Sequence, residues 1–196
     1  EAPENWATKK AILVFGITAG MAYIHQHGII HRDLKPRSIL LDSNFYPKIG
    51  NFVLSIHCKE GTEIECTKVA GTPLFMAPEM MSSEPYSSKI DIYSYSMVLY
   101  ELFTLRSPYS DKKMTALQLL SKVSKGDRPE ITQGEIPEAF ECLIRQCWSQ
   151  IPDERPRFID IVKLFIEKKT ELFGFDSIDQ KEFDEYVKLV TADLDL

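Results

Sequence analysis

His31-Arg32-Asp33-Leu34-Lys35-Pro36-Arg37-Ser38 is a charged loop between two apolar stretches, and its reading decides the fold. Upstream, from Trp6 to His27, apolar residues recur at helical spacing: Ile12, Phe15, Ala19 and Tyr23, with Leu13, Ile17, Met21 and Ile24 widening the stripe. So broad a stripe predicts a helix buried on most sides. Gly28 suits its C-terminal cap, because glycine enters the left-handed region without a Cβ penalty. Ile29-Ile30 reads as a short extended piece leading into the loop. Downstream, Ser38-Ile39-Leu40-Leu41-Asp42 and Phe45 to Ile49 read as two short strands joined by a turn at Ser43-Asn44.

Beyond the strands, residues 50–79 show no clean period and are rich in Gly, Thr and charge. A stretch of that length without a period points to a functional loop. After Tyr86 a strong helix is predicted to about Thr104, with Ser88-x-x-Asp91 resembling a capping box. Its apolar residues (Ile92, Tyr95, Leu99, Leu102, Phe103, with Met97 and Val98) go almost all round, which predicts a central position. Further helical patterns cover about 115–125, 137–149 and 157–170, with Pro137 suited to a first helical position. Ser177-x-x-Gln180 ahead of Phe183, Tyr186, Val187, Leu189 and Val190 predicts one more helix, whose apolar stripe must pack on something. The fold class is therefore mainly α, with a central buried helix, two short strands and no internal repeats.

At 196 residues the chain can bury roughly 70% of its unfolded surface without a disulfide or metal staple. A hydrophobic share of 44% and a charged share of 27% exclude collagen, coiled coil and wholesale disorder. The net charge of −6 argues against a nucleic-acid or anionic-membrane binder, which would present a basic face. Residues 171–196 hold eight acids and two bases, a net of −6 that equals the whole chain's, so they form a distinct acidic segment. Cys58, Cys66, Cys142 and Cys147 show no CxxC spacing, and the His residues at 25, 27, 31 and 57 show no zinc-type pairing. Free thiols in a reducing compartment follow. The most apolar stretch, Ala11 to Ile24, is too short to span a bilayer, and no signal peptide precedes it. The chain opens on Glu-Ala-Pro without an initiator Met, as a fragment or processed product would.

Three motifs now fall into order. The charged loop matches the protein-kinase catalytic loop H-R-D-L-x-x-x-N in its first four positions and in spacing, with Ser38 at the last. Asn51-Phe52-Val53 stands where D-F-G is expected. Gly71-Thr72-Pro73-Leu74-Phe75-Met76-Ala77-Pro78-Glu79 contains A-P-E. On these residues the chain resembles a protein kinase of the tyrosine-kinase-like serine/threonine group. The resemblance runs from about residue 4 to 170 and takes in Tyr86-Ser-Ser-Lys-Ile-Asp91, Gly126-Asp-Arg-Pro-Glu-Ile131, Cys147-Trp148 and Asp153-Glu-Arg155-Pro-Arg-Phe158. It implies the C-terminal lobe of a kinase domain over 1–170, with a catalytic loop at 31–38 and an activation segment at 51–79, followed by the acidic helical tail 171–196. Nothing resembles the N-terminal lobe: no G-x-G-x-x-G and no V-A-I-K occurs.

The resemblance also implies roles. Asp33 would accept the proton of a substrate hydroxyl. Lys35 would sit beside the transferred phosphoryl group of ATP, and Thr72 would bridge Asp33 and Lys35. Arg32 resembles the arginine that receives an activation-loop phosphate, with Thr62 and Thr67 as candidate acceptors. Asp91 should accept from the catalytic-loop backbone, Glu79 and Arg155 should form a buried ion pair, and His31 should pack and hydrogen-bond.

Two positions break the pattern. Ser38 and Asn51 replace the Asn and Asp with which the family holds two Mg²⁺. Ser38 has a shorter reach, and Asn51 lacks the full charge a hard divalent cation prefers. At about 3 kcal/mol each, the two losses would slow transfer roughly 10⁴-fold. Val53 in place of glycine should stiffen the hinge of the activation segment. The first expectation is a cytoplasmic pseudokinase, with ATP and Mg binding weak or absent, that acts in signalling by binding a protein partner. The alternatives are the C-lobe of an active Ser/Thr kinase acting on protein substrates, and a truncated product with no function of its own.

Overall fold

The structure, a computed structural model, describes residues 5–58, 63–65, 70–81, 85–173 and 178–196. In chain order its regular elements are α1 (Trp6–Gln26), β1 (Ile29–Ile30), β2 (Ile39–Leu41), β3 (Pro47–Ile49), β4 (Ile56–His57), α2 (Lys89–Thr104), α3 (Ala116–Val123), α4 (Glu138–Cys147), α5 (Phe158–Glu167), α6 (Lys169–Phe173) and α7 (Gln180–Thr191). Short 3₁₀ turns join them. The chain divides into two compact units. The first comprises residues 1–27, 37–50 and 157–196, and the second 28–36 and 51–156.

In the first unit α1 is the core, packed by α5, α7 and β3. Its apolar residues point almost all round, and Ile12, Val14, Phe15, Ile17 and Met21 are buried. At 21 residues the helix is longer than the apolar stretch marked in the sequence. By length and composition alone it could cross a membrane, yet most of that surface is buried in protein. Phe15 meets Phe165 of α5 at 6.3 Å and Phe183 of α7 edge-on at 5.8 Å. β2 and β3 form an antiparallel ribbon in the register Ile39 to Ile49 and Leu41 to Pro47. Asp42 shapes its turn by accepting the N–H groups of Asn44 and Tyr46 at 2.8 and 3.0 Å. Those bonds, the one from Tyr46 foremost, hold its carboxyl below the usual carboxylate range.

The acidic segment is anchored in this unit. Asp179 caps α7 by accepting Glu182 N–H at 3.0 Å, and its own N–H donates to Thr8 Oγ1 at 2.8 Å. Glu182 is held by Lys9 and by Asn5 Nδ2. Ser177, the cap expected from sequence, lies outside the described residues. The Phe183 and Tyr186 side chains are buried, whereas Leu189 is exposed. The Tyr186 hydroxyl lies so close over Gly16 that a Cβ there would sit 2.0 Å from it and 2.6 Å from Pro47 Cγ. Neither a tyrosine ring nor a proline ring yields cheaply. Gly16→Ala is therefore expected to cost about 1–3 kcal/mol by overpacking, read as a lower midpoint in urea, with Tyr186→Phe in the same background recovering part of the loss.

In the second unit α2 is buried continuously from Ile90 to Tyr100. It packs on α4 and on the turn Pro73–Phe75, where Ser94 Oγ donates to the Phe75 carbonyl at 2.8 Å. Phe103 stacks on Phe140 of α4 at 4.7 Å. Three readings are corrected here. Ser88 forms no side-chain cap, and the Asp91 carboxylate, which would complete a capping box, accepts instead from the loop described below. Pro137 caps α4 from outside the helix instead of opening it. A further ribbon, β1 with β4, pairs Ile29 with His57 and Ile30 with Ile56 in antiparallel register. Two residues per strand leave no periodicity to read, so β4 went unmarked inside the aperiodic stretch.

Candidate active site

The second unit gathers most of the residues singled out by sequence. Asp91, fully buried in the first turn of α2, accepts His31 N–H through Oδ2 at 2.8 Å and Arg32 N–H through Oδ1 at 2.9 Å. These bonds pin the loop in a reversal that carries Arg32 to a φ of 64°. The Arg32 guanidinium donates to the Leu54 carbonyl at 2.6 Å and to the Tyr86 hydroxyl at 2.9 Å. His31 is buried beside the Phe52 ring at 5.2 Å, and its Nδ1 accepts Asp33 N–H at 3.2 Å.

Asp33 is thereby aimed into a set of donors. Its Oδ2 accepts from Lys35 Nζ at 2.6 Å and from Asn51 Nδ2 at 3.2 Å. Its Oδ1 accepts from Thr72 Oγ1 at 2.7 Å, and Thr72 Oγ1 accepts from Lys35 Nζ at 2.7 Å. One ammonium and one carboxylate balance in charge, and the hydroxyl uses both its donor and an acceptor site. Two backbone features allow the approach. Asn51 has a φ of 62°, a left-handed conformation that asparagine tolerates. Gly71 has a φ of 127°, and a Cβ there would meet the Arg32 carbonyl at 2.9 Å. Val53 has no positive φ, lies in the 3₁₀ turn Phe52–Leu54 and is 85% exposed, so it sits there without backbone strain.

A second cluster braces the segment that precedes α2. Arg155 grips Glu79 with its two terminal guanidinium nitrogens, at 2.5 and 2.9 Å, and also donates to the carbonyls of Ser149 and Lys89. Its guanidinium lies over the Tyr93 ring at 5.3 Å. Ser38 belongs to the first unit, buried in the 3₁₀ turn Pro36–Ser38, where its carbonyl accepts Gly50 N–H at 2.8 Å. Thr62 and Thr67 lie outside the described residues. Sequence reading missed Leu54 and Tyr86 as the partners of Arg32. The available signal was Tyr86 itself, an aromatic residue in the turn before a polar helix start.

A pinned reversal delivering one carboxylate to a lysine and a threonine hydroxyl, ahead of a buried central helix, defines a kinase C-lobe-like fold. A family model described as protein tyrosine and serine/threonine kinase matches residues 4–165, and the chain belongs to that family. Among its relatives are the dual specificity protein kinase shkB of Dictyostelium discoideum, 38% identical over 79% of this chain and 24% of its own length. The serine/threonine/tyrosine-protein kinase HT1 of Arabidopsis thaliana is 39% identical over 81% of this chain and 40% of its own length. The RGS domain-containing serine/threonine-protein kinase A of Dictyostelium discoideum is 39% identical over 75% of this chain and 12% of its own length. The chain thus spans well under half the length of these relatives.

The family implies ATP and Mg²⁺, and the residues can be tested for fit. Asp33 already accepts three donors, and the Asn51 amide nitrogen, not an oxygen, is turned toward it. No group of three or more His, Cys, Asp or Glu side chains suited to a metal occurs among the described residues. The constellation does not fit a divalent cation. What it can do is hold a carboxylate oriented and neutralised.

Proposed function

We propose that this chain is a pseudokinase segment of the tyrosine-kinase-like class, acting in signalling by binding a protein partner in the cytoplasm. The observation that carries the reading is the state of Asp33. The would-be base accepts from the Asn51 amide, at a site where a metal-holding carboxylate has become an amide. Ser38, at the other metal position, supports it. A fold kept while its reaction groups change is suited to presenting a surface.

A second reading is favoured by the intact Asp33, Lys35 and Thr72 geometry. In it the chain is the C-lobe of an active Ser/Thr kinase, and Asp33 takes the proton of a substrate hydroxyl as the γ-phosphoryl of ATP is transferred. Radiolabelled phosphate incorporation into a generic Ser/Thr substrate, with Mg²⁺ and with Mn²⁺, separates the two. Incorporation no greater than that of Asp33→Ala is expected. Incorporation clearly above that control would establish the second reading.

A further inference from the structure

The second unit carries a cleft of about 690 Å³ that is lined by none of Asp33, Lys35, Asn51 or Thr72. Leu117, Ser121 and Ser124, spaced four and three residues apart, set one face of α3 along it, while Leu119, Leu120 and Val123 are buried behind. Leu117 is 73% exposed, and Met81 and Pro85 add apolar surface to the lining. Among the described residues, the charged groups that line the cleft are Glu63, Glu79 and Asp153, all of one sign. Glu79 is held by Arg155. Glu63 and Asp153 are exposed, and neither carboxylate meets a cation or a donor among the described residues. We propose that this cleft is the docking site for a partner segment in which a lysine or arginine stands beside an apolar residue. The inference rests on the binding reading above and names the surface and the partner's chemistry.

The walls are set in advance. Glu63 adjoins Ile64, which exchanges two main-chain hydrogen bonds with Tyr86 at 2.8 and 3.0 Å. Asp153 lies in the 3₁₀ turn Pro152–Glu154, which leads directly into the buried Arg155. α3 is fixed at its start by a reciprocal cap: Gln118 N–H donates to Thr115 Oγ1 at 3.3 Å, and Thr115 N–H to Gln118 Oε1 at 2.9 Å. Binding to such walls carries little ordering cost on this side. Charge then decides what enters. A cation gains from both free carboxylates, and the aliphatic stem of lysine or arginine can cover apolar surface while its head stays with the acids. An acidic segment would meet like charge, and a purely apolar one would strip water from two carboxylates without replacing it. The exposed Leu117 adds the second requirement, an apolar side chain next to the cation.

The test uses the whole 196-residue chain and the fluorescence anisotropy of a labelled peptide, Arg-Arg-Leu-Arg-Gly, at physiological ionic strength. Saturable binding is expected, and none by the counterpart that carries Glu for Arg. Glu63→Gln with Asp153→Asn should weaken binding at least roughly fivefold. Leu117→Ala should weaken it roughly threefold, and that effect should vanish with the peptide that carries Gly for Leu. All three positions are exposed, so these variants should keep the wild-type melting temperature. Glu185→Gln with Asp193→Asn removes two exposed charges from the acidic segment and should change affinity by less than about twofold. A loss there equal to that of the cleft pair would reveal general charge attraction and overturn the proposal. So would a wild-type chain that does not bind the peptide, or spermine displacing it as well as the unlabelled peptide does. Phosphoryl transfer by the wild-type chain would instead overturn the binding-only reading and leave these affinities as they are, so the two failures are distinguishable.

Discussion

Arg155→Ala is expected to lower the melting temperature by roughly 10 °C or more, because breaking a buried pair from one side costs about 3–5 kcal/mol. The Arg155 side chain is 0% exposed and that of Glu79 is 13% exposed, so the carboxylate that loses Arg155 cannot simply turn to water. Alanine also removes the bonds to the Ser149 and Lys89 carbonyls and the cation over Tyr93. Arg155→Lys should recover only part of the loss. An ammonium keeps the charge but cannot grip both carboxylate oxygens in the planar fork. The control is Arg157→Ala, which breaks the exposed pair with Asp160, whose side chains are 57% and 43% accessible. Surface pairs contribute about 0–1 kcal/mol, so it should hardly move the transition. Equal shifts for the two alanine variants would remove the bracing role from Arg155.

Asp91→Ala should be nearly as severe, for a different reason. It deletes the acceptor of two main-chain N–H groups, those of His31 and Arg32, in the interior of the second unit. Each donor left without a partner costs about 1–3 kcal/mol. Asp91→Asn keeps one acceptor and should fall between wild type and alanine. Amide exchange locates the effect: protection at His31 and Arg32 should collapse while that in α4 persists. Unchanged protection at both positions would show that the loop is held by other bonds.

Much of this architecture was legible in the residues, and the reasons differ from place to place. α1 and α2 announced themselves through apolar stripes too broad for a surface helix, and burial from Ile90 to Tyr100 is the structural counterpart. The β2–β3 ribbon was visible because branched residues flank a polar turn. The β1–β4 ribbon was not, since two-residue strands are fixed by the chain that returns to them and not by local preference. Ser88-x-x-Asp91 misled because the carboxylate a capping box would use accepts instead from the N–H groups of His31 and Arg32 on a distant loop. At the site, motif order brought out Asp33, Lys35 and Thr72 together. The hydrogen bond from Asn51 could not be read from spacing, because it depends on which end of an amide faces the acid.

The contact between Gly16 and Tyr186 has a consequence for how such a sequence can change over generations. The family match ends at residue 165, yet a residue beyond it dictates that position 16 carry no side chain. The two sites are therefore tied in inheritance. A lineage that loses the acidic helix loses the tighter of the two contacts on position 16, with Pro47 left as the remaining restraint, and one that has drifted to alanine there cannot regain the helix in the same seat. Among descendants and cousins of this chain, an aromatic residue at this place in the downstream helix should always be accompanied by a glycine at position 16.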